Sequence, residues 1–134
     1  DPRSEYLGPL RNEITTDDIY KAETKILKAV ADESSCVITG RSAFFVLADY
    51  PNKIDIFITS SRENRIERVM AKQKMNKETA AIIVDEVDKM RENYVKRYTD
   101  TSRYDARNYN LTLNMDQLTE DWAVKVILTY LGVE

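Results

Sequence analysis

Two short apolar runs, residues 53–59 and 109–113, are separated by a long helical pattern and by no hairpin turn signal. That spacing restricts how they can pair. Antiparallel neighbours are joined by tight turns, whereas parallel neighbours need a crossover of a dozen or more residues, usually a helix. Residues 60–108 are long enough for that crossover and carry helical periodicity. In the first run Ile54, Ile56 and Ile58 alternate with Asp55 and Phe57, the period of a strand. A third run, residues 36–39 (Cys-Val-Ile-Thr), is apolar on both sides and reads as a buried parallel strand. Helices alternating with apolar strands predict an α/β fold, a parallel sheet flanked by helices, in one domain over residues 1–134.

The helices announce themselves by their caps. Thr15 or Thr16 with Asp17 and Asp18 can accept the free amides of a first turn. Ile19, Ala22, Ile26, Ala29 and Val30 then fall on one face to about Asp32. Residues 42–48 predict a short helix that stops before Pro51. Ser60 or Ser61 opens a helix to about Lys74, and Asn76 opens a long one to about Arg97. Ala81, Val84, Val87 and Met90 form the expected buried stripe of the long helix. Residues 119–131 predict a last helix, ended by Gly132, with Trp122 packed among Ala123, Val126 and Ile127. Residues 1–15, with Pro2, Gly8 and Pro9, read as a loose lead-in.

Composition removes several chemistries. The chain has no histidine, which excludes imidazole bases, Ser-His pairs and the commonest zinc ligand. Its single cysteine, Cys36, lies in an apolar run and is expected to be a buried, reduced thiol; a lone cysteine suits a cytoplasmic protein. No apolar run approaches the ~20 residues of a membrane helix. The net charge of −3 is unevenly spread: residues 61–107 hold 12 basic and 9 acidic groups, residues 1–60 hold 7 and 10, and residues 108–134 hold 1 and 4. So small a basic surplus speaks against a nucleic-acid partner and for a small anion held by a few converging cations.

Arginines are the candidates for that work. Arg41 follows Gly40 at the end of the first predicted strand, where ligands of parallel sheets bind. Arg62, Arg65 and Arg68 stand three apart and share one side of a helix. Arg91 and Arg97 come later on the long helix. Each also has a plain structural use: Glu63 and Glu67 adjoin Arg65, Asp88 and Glu92 adjoin Arg91, and Arg97 sits where a helix dipole favours a cation. A transferring phosphoryl group spreads charge over three oxygens, and the planar arginine fork matches it. Tyr94, Tyr98, Tyr104 and Tyr109 read as half-buried core. Asp55 has no second carboxylate at a metal-ligand spacing, so no metal site is expected. Gly8, Gly40 and Gly132 are the only glycines, so the sequence contains no G-x-x-x-x-G-K-[ST] phosphate loop.

The run V-I-T-G-R-S-A-F-F-V-L followed by P-N-K-I-D-I-F-I-T-S-S-R-E-N-R-I-E-R resembles the cytidylate kinase family, in its divergent cytidylate-kinase-like branch. D-K-M-R-E-N-Y-V-K-R-Y-T at 88–99 and R-N-Y-N-L-T-L-N at 107–114 extend the likeness in the order that branch shows. The resemblance implies a P-loop nucleoside-monophosphate-kinase fold without its first strand and phosphate loop. It implies transfer of the ATP γ-phosphate to CMP or dCMP, with Mg²⁺ accompanying ATP. On the same footing Arg41, Arg91 and Arg97 fall to the substrate side. Arg62, Arg65 and Arg68 fall to ATP, in a lid over about residues 62–100. Two departures accompany it: Ser42 stands where ordinary cytidylate kinases carry Asp, and the R-x-x-x-D-x-x-R spacing is absent around Arg91. The missing loop leads us to expect roughly 50–60 further upstream residues bearing one. The alternative expectation is an inactive nucleotide-sensing or protein-interaction module of the same fold.

Overall fold

The computed structural model describes residues 14–40 and 42–133. They fall into two compact units, one ending at Asp49 and one starting at Tyr50.

In the first unit, α1 (Thr16–Glu33) starts as its sequence predicts. The Asp18 amide donates to the Thr15 hydroxyl at 3.1 Å and the Thr15 amide donates to the Asp18 carboxylate at 3.0 Å. This reciprocal capping box satisfies two otherwise orphaned donors. The apolar face of α1 is present but uncovered: Ile26 is 61% exposed, and the helix buries none of its residues. Residues 36–39 do not form the expected strand. A strand exists only through its ladder, and no described residue pairs with this run; Val37 is 94% exposed, and Cys36 is exposed rather than buried. A four-residue α2 (Ala43–Val46) follows, in the place the sequence puts a short helix.

The second unit holds the sheet. Strands β1 (Ile56–Thr59) and β2 (Leu111–Asn114) pair in parallel, Ile56 opposite Leu111 and Thr59 opposite Asn114. Flanking bonds from the Asn110 amide to the Asp55 carbonyl and from the Met115 amide to the Thr59 carbonyl, both 2.8 Å, continue the pairing. β1 is shorter than its apolar pattern because Asp55 is diverted. Its amide donates to the Asn110 side chain and its carboxylate pairs with Lys53.

Between the strands run α3 (Arg62–Gln73), capped by Ser61, and α4 (Lys77–Thr99), capped by Asn76. Lys74 and Asp100, both left-handed, end them. The two helices pack on a core of Ile66, Ala80 and Val84, with Val69, Met70 and Met75 against it. Of the expected stripe on α4, Val84 is buried, Ala81 packs against the core and Val87 is half-buried, whereas Met90 is exposed and Ala80 is the fully buried alanine. After a turn of 3₁₀ helix (Ala106–Asn108) and β2 comes α5 (Glu120–Tyr130), capped by Thr119. Trp122 is exposed rather than packed, with the Lys125 ammonium 4.7 Å from its ring centre. The result is a mixed α/β architecture with a small parallel sheet flanked by helices. No described helix is long and apolar enough to cross a membrane.

An arginine-lined cavity at the carboxyl ends of the strands

A cavity of about 390 Å³ opens in the second unit where β1 ends, lined by Ile58, Thr59 and Ser60 together with Met115 and Leu118 beyond β2. The size is that of a small-molecule site, and the carboxyl ends of parallel strands are where such ligands bind. Four arginines line it: Arg65 and Arg68 from α3, Arg91 from α4, and Arg103 from the loop after α4. Asp88 and Glu120 are the acidic residues of the lining.

The cations divide sharply by partner. Arg62 donates through Nε and Nη2 to the two carboxylate oxygens of Asp85, at 2.9 and 3.0 Å, and does not line the cavity. The bond to Asp85 holds the guanidinium pKa above its ordinary value, and the same bond holds the Asp85 carboxyl below its own. Arg65 donates to Asp88 at 2.6 Å and to the Ser60 carbonyl at 3.1 Å, which ties α3 to both α4 and the end of β1. Its pKa is likewise raised, first by the Asp88 bond. Both pairs join residues twenty-three apart.

Arg68 on α3 and Arg91 on α4 both line the cavity. Among the described residues neither has a carboxylate partner. Like charges lining one cavity repel each other, and a bound anion offsets that repulsion.

The end of β1 at the cavity is fixed in place by the turn after β2. Asp116 accepts from the Ser60 hydroxyl at 2.7 Å and the Ser61 amide at 2.8 Å, joining the end of β1 to the turn after β2. These bonds hold its carboxyl down at about 2.

Of the arginines singled out from sequence, Arg65, Arg68 and Arg91 converge on the cavity. Arg97 does not line it and lies 5.7 Å from the Tyr98 ring centre. Arg41 lies outside the described residues; its neighbours Gly40 and Ser42 have φ of 74° and 54°. Ser42 is buried, and its hydroxyl has no partner among the described residues. Arg103 was not foreseen, because nothing in a polar loop marks one arginine above its neighbours. No three His, Cys, Asp or Glu side chains among the described residues group as a metal site.

The model of the cytidylate kinase-like family matches residues 3–117, which include all four cavity arginines. The chain belongs to the cytidylate kinase-like family. Membership supports a nucleotide kinase-like function in general terms. A crystal structure of an uncharacterized protein from Eubacterium ventriosum is similar, with 30% identity and a TM-score of 0.80 over 86% of this chain and 65% of that one. The cytidylate kinase-like chain thus spans less than two thirds of that protein's length. No curated protein matches it.

Proposed function

We propose that this cytidylate kinase-like chain serves a nucleotide phosphotransferase, with ATP as donor and CMP or dCMP as acceptor. The cavity at the ends of β1 and β2 takes nucleotide phosphates. The observation that carries this is the cavity lining itself: four arginines, of which Arg68 and Arg91 have no ion-pair partner among the described residues. Phosphoryl transfer asks of a protein mainly positioning and stabilisation of charge on the phosphoryl oxygens, and paired arginine donors supply both.

In this assignment Arg65, Arg68 and Arg91 contact phosphates, and α3 and α4 form the lid that closes over them and excludes water. Arg41 is given to the monophosphate, and Arg62 and Arg97 to their ATP and substrate sides, on the family pattern alone. Mg²⁺ enters bound to the phosphates of ATP, as it commonly does with few protein ligands, and no residue is assigned to it. The P-loop kinase fold and its phosphate loop belong to the same proposal.

A second version, in which the cavity binds nucleotide and transfers nothing, is supported by Ser42 standing where ordinary cytidylate kinases carry Asp. Thermal melting with ADP, ATP, CMP and dCMP tests both. A ligand at 100 times its dissociation constant stabilises by about 2.7 kcal/mol, so binding raises the melting temperature measurably. An unchanged melting temperature with every nucleotide contradicts both versions. ATP- and CMP-dependent ADP formation by the protein isolated from its source separates them: transfer supports the kinase, binding without transfer supports the sensor.

A further inference from the structure

Arg103 is held more firmly than a loop residue needs to be. Its amide donates to the Glu92 carboxylate at 2.9 Å, and its carbonyl accepts from the Tyr109 hydroxyl at 2.5 Å. Glu92 also accepts from the Ser102 hydroxyl at 2.6 Å, and the Asn108 side-chain amide donates to the Ser102 carbonyl at 2.9 Å. Burial pushes the Glu92 carboxyl up, but the Ser102 and Arg103 bonds, with the nearby Lys96 and Arg103 charges, outweigh it and keep the group ionised. Both peptide groups of Arg103 are therefore fixed, one from α4 and one from Tyr109 at the end of the 3₁₀ turn.

The guanidinium is treated differently. It lies 5.5 Å from the ring centre of Phe57 and 5.1 Å from that of Tyr104, and donates once, to the Tyr104 hydroxyl at 3.3 Å. Phe57 is itself held by Tyr109, stacked at 4.9 Å. Aromatic faces orient a cation without neutralising it. Among the described residues no carboxylate lies within ion-pairing distance of this guanidinium. A guanidinium has five N–H donors, and this one opens on the cavity shared with Arg68 and Arg91.

We propose that Arg103 is a further anion-binding residue of the cavity. Its loop is locked by Glu92 and Tyr109, its plane is set by Phe57 and Tyr104, and its ligand group is a phosphate chain. The assignment rests on the nucleotide-phosphate reading of the cavity. Glu92 is a positioning residue, since it acts only through the Arg103 backbone.

Calorimetric titration of the 134-residue chain with inorganic tripolyphosphate, and separately with ADP, tests it. Arg103→Ala is expected to weaken both ligands about ten-fold or more, the scale of one charge-assisted contact. Arg107→Ala removes the same charge four residues away, from a guanidinium that pairs with Asp105 outside the cavity, and is expected to change affinity less than about two-fold. Arg103→Lys keeps the charge but loses the planar fork, and falls between Arg103→Ala and the parent. It decides the matter if the alanine variant does not fold. Parent-like affinity in Arg103→Lys and in any folded Arg103→Ala, with Arg68→Ala weakened, overturns the role of Arg103 and leaves the cavity assignment standing. A loss for ADP but not for tripolyphosphate moves Arg103 to the base and overturns the phosphate assignment. An equal loss in Arg107→Ala reduces the effect to net charge and overturns it as well. No binding by the parent chain overturns both.

Discussion

Arg65 reaches from α3 to Asp88 on α4, 2.6 Å away, while its Nε holds the carbonyl of Ser60 at 3.1 Å. One side chain thus fastens the two helices to each other and to the mouth of the cavity. Arg62 and Asp85 also join these two helices, nearer the solvent. The pair at Arg65 is the more sheltered, with side chains 34% and 23% exposed.

Arg65→Ala is therefore expected to lower stability by about 1 kcal/mol, the upper part of the range for partly exposed ion pairs. The midpoint of urea unfolding measures it. Double substitution with Asp88→Ala is expected to be less than additive, because the two share one interaction.

The helix pair depends on Ile66 more than on any charge. It is 4% exposed, against the fully buried Ala80 and the 5% exposed Val84. Ile66→Ala is expected to cost about 3 kcal/mol, since lost transfer energy adds to the cavity left behind. Urea unfolding followed by far-UV circular dichroism reads that loss.

Much of this fold is legible in the sequence because caps are local. Thr15, Ser61, Asn76 and Thr119 each accept an amide of the first turn they precede, and each is a residue type that does so by chemistry alone. The parallel pairing follows as well, from a long helical stretch where a hairpin turn is missing. Residues 36–39 show the limit. Apolar composition says that a run can become a strand, but only a ladder partner makes it one. The site divides in the same way. Arg65 and Arg68 were visible by helical spacing and Arg91 through the family resemblance, whereas the Asp88 partner of Arg65 comes from another helix, not from adjacent Glu63 or Glu67. Arg103 depends on contacts from Glu92, Phe57 and Tyr109, which no local pattern encodes.

Acid should loosen the mouth of the cavity through Asp116. Its carboxyl is depressed from 3.8 to about 2 by the Ser60 and Ser61 bonds. A depressed carboxyl contributes stability that is fully present above the unfolded value and is lost as pH falls through the folded one. The loss is therefore expected between pH 4 and pH 2, a window shared by Asp105, held at about 2 by Arg107. Asp116→Asn should flatten that part of the stability curve, measured by urea unfolding at stepped pH.

Cys36 is exposed, contrary to what its apolar neighbours suggest. An Ellman's-type thiol reagent is expected to label one thiol of the native chain about as fast as in denaturant, since accessible cysteines react through their thiolate without any opening step. Labelling that waits for unfolding would show that the run from Cys36 to Thr39 is covered.

The most direct test of the arginine-lined cavity is calorimetric titration of the chain with ADP beside an Arg68→Ala/Arg91→Ala double variant. Two lost charge-assisted contacts predict at least about a hundred-fold weaker binding in the variant, with its thermal unfolding still cooperative. Equal affinity in the two proteins would contradict the account, because Arg68 and Arg91 would then hold no phosphate.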